Sequence, residues 1–274
     1  MVKITAVEVN KLRKMSGAGI MDCKKALVES NGDFDLAIEV LRKKGQKVAA
    51  KRADRDSSEG AVIAKVNSSS NKGIIISLNC ETDFVAKNES FLELANKIAE
   101  LALACESLDD LLDSKIDSMS VSEKLVEQTG VIGEKLVVGN FETLCCPHVG
   151  KYVHAGNKIA TLSGLSHYIE GAEEVSKNIA MQAAAMNPIA LNEEGVDKDI
   201  IEKEIEIAKD QLRQEGKPEA MLDNIAKGKL KKFFKENTLV NQAFIKDNKQ
   251  SVSSYLKSFD NDLEVVGFKR VSLV

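Results

Sequence analysis

The sequence predicts an α+β fold in which a small helical module precedes a larger part that mixes strands and helices. The first 45 residues contain three short amphipathic helical patterns. The following residues show the order strand, strand, helix, strand twice, with no sequence identity between the two halves. Two helical segments joined at Gly216-Lys217-Pro218 interrupt the second of these units, which indicates an inserted hairpin.

Composition restricts the class of protein. The chain has 274 residues, of which 43% are hydrophobic and 29% charged, as is typical of globular proteins. No segment approaches the roughly 20 apolar residues needed to cross a bilayer, and residues 1–5 lack the apolar run of a signal peptide. The five cysteines match no disulfide framework. We therefore expect a cytoplasmic protein with no membrane association.

The charge is unevenly distributed. The whole chain has 38 basic and 42 acidic residues, but residues 1–56 contain 13 basic and 8 acidic ones, a net charge of +5. The overall charge of −4 and an aromatic content of 4% argue against direct nucleic-acid binding. We expect the basic N-terminal module to meet an acidic surface on a partner.

The helices of the N-terminal module begin and end at recognisable signals. Thr5 and Glu8 have the spacing of a capping box, Gly17 is suited to end the first helix, and Asp33 is suited to cap the third. The second helix is expected to stop at Asn31-Gly32. Residues 46–60 are expected to form a charged connection that leads into a linker.

Alternating and β-branched patterns predict the strands. The first unit is expected to contain strands at 61–66, 73–80 and 136–144, and helices that begin near Phe91 and at Val121. The second is expected to contain strands at 149–154 and 158–165, a helix at 172–186 and a closing strand at 263–273.

The inserted hairpin has a narrow apolar stripe. On its first arm, Ile201, Ile205, Ala208 and Leu212 follow the spacing of a coiled-coil seam. Gly216 is suited to the turn, and Pro218 to the first position of the second arm. The seam is expected to be covered either by the second arm or by another subunit, so a homodimer through the hairpin is one alternative.

A search for reaction chemistry identifies no catalytic residue, metal site or cofactor-binding motif. No phosphate-binding glycine loop is present. A metal site is one interpretation of Cys145-Cys146-Pro147-His148. Neighbouring residues on a strand point to opposite faces, however, so they cannot easily bind the same ion. The favoured interpretation is a pair of cysteines at the end of a strand. A catalytic dyad of His154 with a cysteine is also disfavoured, because no third group that would orient the histidine is identifiable.

The segment from Cys80 to Asn88 joins a buried strand to a helix. Its chemistry alone favours an ordinary interpretation in which Asp83 caps the helix and Phe84 packs beneath it.

This same segment carries a family resemblance. Thr82-Asp83-Phe84-Val85-Ala86-Lys87-Asn88 resembles the T-D-F-V-A-K-D/N signature of the bacterial elongation factor Ts family. Residues 12–27 resemble its other signature, L-R-x-x-T-G-A-G-x-M-D-C-K-x-A-L, with Ser16 in place of the usual Thr. Ile132-Gly133-Glu134 is similar to a third stretch, in which Lys135 replaces Asn. The resemblance covers nearly the whole chain.

The resemblance implies an architecture. A three-helix module similar to ubiquitin-associated domains is expected at 1–55, and a first core unit at 56–145. The second core unit is expected at 146–192 and 229–274, with a coiled-coil hairpin inserted at 193–228. Because the sequence ends at Val274, contact through the further C-terminal helical module of many members is expected to be absent or reduced.

The resemblance also implies a function and site residues. Members promote guanine-nucleotide exchange on elongation factor Tu, binding its GDP form and making or breaking no covalent bond. The turn of Thr82, Asp83, Phe84 and Val85 is expected to enter between partner helices and disturb the Mg²⁺ that bridges GDP and the partner. Further partner contacts are expected at Met21, Ile132 and His154.

Two other functions remain as alternatives. An adaptor that uses only the N-terminal module would not need the Asp83-Phe84 turn, and tests on residues 1–55 alone would identify it. A Cys/His hydrolase would lose activity when Cys145 and Cys146 are alkylated.

Overall fold

Three helices form the N-terminal module of the computed structural model, which describes residues 4–274. Residues 1–3, part of the segment that lacks a signal-peptide pattern, lie outside the described residues. Leu12, Cys23 and Leu27 are fully buried between the helices and form the centre of a small apolar core. The helices are α1 (Ala6–Ser16), α2 (Ile20–Glu29) and α3 (Phe34–Lys51).

Local sequence signals set the ends of these helices as predicted. Thr5 and Glu8 form a capping box, in which the Thr5 backbone N–H donates to Glu8 Oε2 at 2.7 Å. Gly17 ends α1 with φ of 68°, a left-handed conformation that favours glycine. The Asp33 side chain accepts from the Leu36 N–H at 2.9 Å and caps α3. These three predictions are confirmed.

The next part of the chain forms an antiparallel sheet in which β2 (Lys72–Cys80) lies between β1 (Glu59–Val66) and β5 (Val137–Cys145). One helix, α5, packs on this sheet through its predicted apolar face, on which Phe91 is buried. The short elements α6, β3 and β4 were not predicted, because segments of two to six residues show no full period. The elements are β1 (Glu59–Val66), β2 (Lys72–Cys80), α4 (Asp83–Ala86), α5 (Glu89–Ala102), α6 (Leu108–Asp113), β3 (Lys115–Ile116), β4 (Met119–Ser120), α7 (Val121–Ile132) and β5 (Val137–Cys145).

The rest of the chain forms a second antiparallel sheet in which β7 (Ile159–Leu165) lies between β10 (Val265–Ser272) and β6 (His148–Val153). The order strand, strand, helix, strand therefore occurs twice, as predicted, whereas β8, β9 and α11 were missed. The elements are β6 (His148–Val153), β7 (Ile159–Leu165), α8 (Ala172–Met186), α9 (Lys198–Gln214), α10 (Glu219–Asn237), β8 (Ala243–Phe244), β9 (Asp247–Ser251), α11 (Val252–Lys257) and β10 (Val265–Ser272).

The two sheets pack against each other, which explains why β1 and β2 are apolar on both faces. Val62 and Ile75 of the first sheet lie in one buried cluster with Val149 and Leu162 of the second. The alternate residues of β1 and β2, among them Ile63 and Ile76, point to the other face and pack in the cluster that includes α5.

Helix α3 is longer than predicted. Residues 46–51, expected to begin a charged connection, continue the helix to Lys51. The expected connection was wrong here because α3 packs along α7, and Gly45 lies against Gly130 at this crossing. Tertiary packing of this kind extends a helix without any local sequence signal.

The hairpin covers its own seam. Ala208 and Leu212 of α9 are buried, as are Leu222 and Ala226 of α10. Gly216 forms the turn with φ of 74°, but Pro218 is the N-cap of α10 and not its first residue as predicted. Within residues 4–274, neither these arms nor any other helix combines the length and apolar character needed to cross a membrane.

Candidate partner-binding site

The turn between β2 and α5 exposes a large aromatic side chain. Phe84 is 83% exposed, whereas Ala86, two residues further on, is buried. The interpretation that Phe84 packs beneath the helix is therefore wrong. Thr82 is the N-cap of α4, because its side chain accepts from the Val85 N–H, and Asp83 is the first helical residue rather than the cap.

A carboxylate lies beside the exposed ring. Asp83 Oδ2 accepts a hydrogen bond from Lys87 Nζ at 2.6 Å. This bond lowers the pKa of Asp83 below its ordinary value, and the positive charge of Lys158 acts in the same direction. Asp83 is therefore ionised at neutral pH, so the turn presents an apolar ring next to a negative charge.

Glu134 braces the turn from the end of α7. Its Oε2 accepts from the backbone N–H groups of Glu81 and Thr82 at 3.1 and 3.0 Å. Its Oε1 accepts from the Thr82 hydroxyl at 2.7 Å. No local sequence signal identifies Glu134 as a site residue, although it belongs to the Ile132-Gly133-Glu134 stretch.

Glu81 connects the turn to the N-terminal module. Both of its carboxylate oxygens lie 2.8 Å from Arg52 Nη1, at the end of α3, and Oε1 also accepts from the Lys135 N–H at 2.7 Å. The Lys135 N–H and then the Arg52 guanidinium lower the pKa of Glu81 below its ordinary value. The Lys135 ammonium donates to the carbonyl groups of Ala53 and Arg55 at 2.7 and 3.1 Å.

Cys80, immediately before the turn, is a structural thiol. Its Sγ donates to the Thr82 carbonyl at 3.2 Å. Burial raises the pKa of Cys80 to about 12, and the negative charge of Glu134 adds to this effect. Because the thiolate is the nucleophile, Cys80 is unreactive at neutral pH.

Met21 and Ile132 lie in different surroundings. Met21 is 60% exposed on α2, and its neighbour Ile20 is also exposed, so this face of the module is available for contact. Ile132 is partly buried against the core around α5, two residues before Glu134. Val131, the residue before Ile132, faces Gly17 in the turn before α2, so this end of α7 lies close to the module.

His154 belongs to the second sheet. It is exposed in the turn between β6 and β7, where its Nδ1 lies 2.9 Å from the Tyr152 hydroxyl oxygen. Lys158, at the end of the same turn, forms an ion pair with Glu59 at the start of β1. This pair holds the two units together at this edge. Met21 on α2, Phe84 on α4 and His154 after β6 thus belong to three separate elements.

The cysteine pair does not form a metal site in the part of the chain that the structure describes. Residues 4–274 contain no group of three or more His, Cys, Asp or Glu side chains arranged to hold a metal ion. Cys145 is exposed, and Cys146 Sγ donates to the His148 carbonyl at 3.1 Å. Cys145 is the last residue of β5, which agrees with the interpretation of two cysteines at a strand end.

An exposed ring and carboxylate on a braced turn are features of a protein-binding surface, and comparison with known proteins agrees with this class. The family model described as Elongation factor TS matches residues 81–273. Proteins named Elongation factor Ts from Christiangramia forsetii and Flavobacterium psychrophilum are 68% and 63% identical, and each alignment covers 100% of both chains. The protein of that name from Porphyromonas gingivalis is 45% identical over 98% of both chains. The chain belongs to the elongation factor Ts family, and its role is guanine-nucleotide exchange on elongation factor Tu in translation elongation.

Proposed function

We propose that the chain binds elongation factor Tu in its GDP form and promotes GDP release by inserting the turn of Thr82, Asp83, Phe84 and Val85 between helices of the partner. The observation that supports this proposal is the 83% exposure of Phe84 on a turn whose backbone is held by Glu134. Because the backbone of the turn is already held by Glu134, it loses little freedom when the ring inserts, which reduces the cost of binding.

Insertion of this turn would act on the phosphate site of the partner. Backbone amides at helix N-termini and Mg²⁺ together hold the phosphates of a bound nucleotide. A side chain that displaces these elements weakens several phosphate interactions at once, including the Mg²⁺ bridge. The Asp83 carboxylate contributes a negative charge next to the inserted ring, so it faces cationic or N–H groups of the partner.

GDP and this factor are both ligands of elongation factor Tu, and the coupling between their binding is reciprocal. A factor that weakens GDP binding is itself bound more weakly by the GDP complex, so each step is reversible and GTP displaces the factor. A change of ~10³–10⁴ in nucleotide affinity corresponds to about 4–5.5 kcal/mol of coupling. No covalent bond changes in this cycle, so we propose a non-enzymatic factor that needs no cofactor of its own.

The N-terminal module, residues 1–55, is proposed to dock the factor as a ubiquitin-associated-like unit. Its net positive charge and the exposed Met21 support this role. The core units at 56–145 and at 146–192 with 229–274 are proposed to carry the exchange surface. His154 and Ile132 are further proposed contacts, although Ile132 is partly buried against the core of this chain.

The hairpin, proposed as an insertion at 193–228, is a second interaction surface. Its seam is covered by its own second arm. A homodimer through the hairpin would therefore use the outer side chains that remain half exposed, such as Ile207 and Met221. Light scattering of the purified chain tests this proposal, since a monomer would contradict it.

We propose that the chain acts in the cytoplasm, on the elongation cycle, without direct contact to nucleic acid. The test of the exchange function is direct. Elongation factor Tu loaded with fluorescently labelled GDP is mixed with excess unlabelled nucleotide, with and without the chain. Faster loss of signal at substoichiometric amounts supports exchange, and an unchanged rate contradicts it.

A further inference from the structure

We infer that Glu134 and Glu81 are positioning residues for exchange: Glu134 fixes the direction of Phe84, and Glu81 holds the Phe84 turn in register with the N-terminal module. This inference rests on the proposed function of the turn. We call the two side chains the carboxylate clamp. Each accepts from the backbone of the other segment, Glu134 from the N–H of Glu81 and Glu81 from the N–H of Lys135.

The turn needs external support because α4 has only four residues. A helix of this length has no stability of its own, so the hydrogen bonds around it determine where Phe84 points. The Thr82 cap bond to the Val85 N–H is long, at 3.5 Å. The same hydroxyl donates to Glu134 at 2.7 Å, so the position of the cap is set by Glu134.

Glu134 is itself well anchored. It follows Gly133, whose φ of 83° ends α7 in a left-handed conformation and turns the chain towards β2. The Gly133 N–H donates to the Thr129 carbonyl at 2.9 Å. The Leu136 N–H donates to the Thr129 hydroxyl at 3.2 Å, in a buried position. The residues on either side of Glu134 are therefore fixed to a stable helix.

Glu81 supplies the link to the module. Its side chain is 15% exposed and lies against the Arg52 guanidinium at the end of α3. The Lys135 ammonium adds two hydrogen bonds, to the backbone carbonyl groups of Ala53 and Arg55, which follow α3. The end of α3 and the exchange turn are thus joined through the side chains of Arg52, Glu81 and Lys135. A module that docks on the partner would carry Phe84 to a defined place.

The first test measures the clamp in the free protein. Glu134→Gln keeps the volume of the side chain and removes its charge, and Glu142→Gln, which removes a similar surface glutamate paired with Lys269, is the matched control. We expect faster hydrogen exchange at the Glu81 and Thr82 amides in Glu134→Gln only. Unchanged protection at both amides would overturn the inference.

The second test measures exchange on elongation factor Tu with Glu134→Gln, Phe84→Ala and the double variant. If Glu134 acts by directing Phe84, Glu134→Gln lowers the maximal rate of GDP release by about tenfold, the effect expected for a lost charge-assisted bond. In the Phe84→Ala background the same change then has little further effect. A melting temperature close to that of the control separates this loss from unfolding.

The outcomes distinguish the inference from the proposed function. If Phe84→Ala slows GDP release and Glu134→Gln does not, the clamp is overturned while the proposed function stands. If the two effects multiply in the double variant, Glu134 acts independently of Phe84 and the inference is also overturned. If Phe84→Ala has no effect, both the proposed function and the clamp are contradicted. For Glu81, a Glu81→Gln variant should weaken partner binding by the full chain, and unchanged affinity would contradict its role.

Discussion

Gly130 in α7 lies directly against Gly45 in α3, and a methyl group added to Gly130 would come within 2.3 Å of the Gly45 Cα atom. The backbones of the two helices therefore touch at this crossing, which no larger residue at position 130 would allow. Together with the Arg52–Glu81 ion pair, this contact fixes the N-terminal module to the first sheet unit at two points.

Gly130→Ala should consequently destabilise the protein. Forcing a methyl group into the crossing costs about 1–3 kcal/mol, more than the gain of ~1 kcal/mol that alanine brings to a helix. Gly228→Ala is the matched control, because Gly228 is also helical and has no atom within 4 Å of the added methyl group. Urea unfolding should show a loss of stability for Gly130→Ala and a small gain for Gly228→Ala. Equal stability of the two variants would exclude the close crossing.

The basic module should control the association rate. Lys24 is exposed on α2, so Lys24→Glu removes positive charge from the module with little effect on folding. We expect slower association with elongation factor Tu, and a weaker dependence of that rate on salt than in the parent chain. Deletion of residues 1–55 should weaken binding strongly. Stopped-flow association and equilibrium titration measure both effects, and an affinity unchanged by the deletion would refute the docking role.

Glu81 should make the free energy of unfolding depend on pH in the acidic range. The pKa of Glu81 is below its usual 4.5 in the folded protein, so the unfolded chain takes up a proton first as the pH falls. The contribution of Glu81 is therefore complete above 4.5 and is lost as the pH falls through the lowered folded pKa. Urea unfolding across that range should show a smaller acid-induced loss for Glu81→Gln than for the parent chain. Parallel pH profiles would contradict the pairing.

The outer part of the hairpin should be separable from the core. Val196 and Phe234 pack together at its base, so a replacement of all of residues 193–228 would also remove a core contact. Replacement of residues 204–228 by a short Gly/Ser link keeps this base intact. Circular dichroism and thermal unfolding should then show a folded core. Loss of all tertiary structure would mean that the hairpin is not a separable insertion.

Local signals in the sequence were sufficient for most of the fold. The capping box at Thr5 and Glu8 and the cap at Asp33 depend only on neighbouring residues, so they were predicted correctly. Both strand-strand-helix-strand units were found because β-branched runs and one long amphipathic helix in each are visible without tertiary information. The length of α3 was missed because its last turns depend on contact with α7.

The site was predictable in part. The residue types of the turn did not predict that Phe84 is exposed. Only the resemblance to a family motif indicated a partner-binding role for its side chain. Thr82 and Asp83 are both good capping residues, so the sequence could not decide between them. Glu134 lies 52 residues from Thr82 in the chain, and no local pattern shows such a contact.

We expect Phe84 to act on the partner and not in the fold of this chain. Phe84→Ala removes a side chain that is 83% exposed, whereas Phe91→Ala, seven residues later, removes one that is 1% exposed. The second change should cost ~3–5 kcal/mol of stability and the first far less.

The most direct measurement is the rate of labelled GDP release from elongation factor Tu with Phe84→Ala, together with the melting temperature of the variant. We predict a steep loss of exchange at a nearly unchanged melting temperature. A variant that melts and exchanges like the parent chain, or one that unfolds as Phe91→Ala should, would contradict the account.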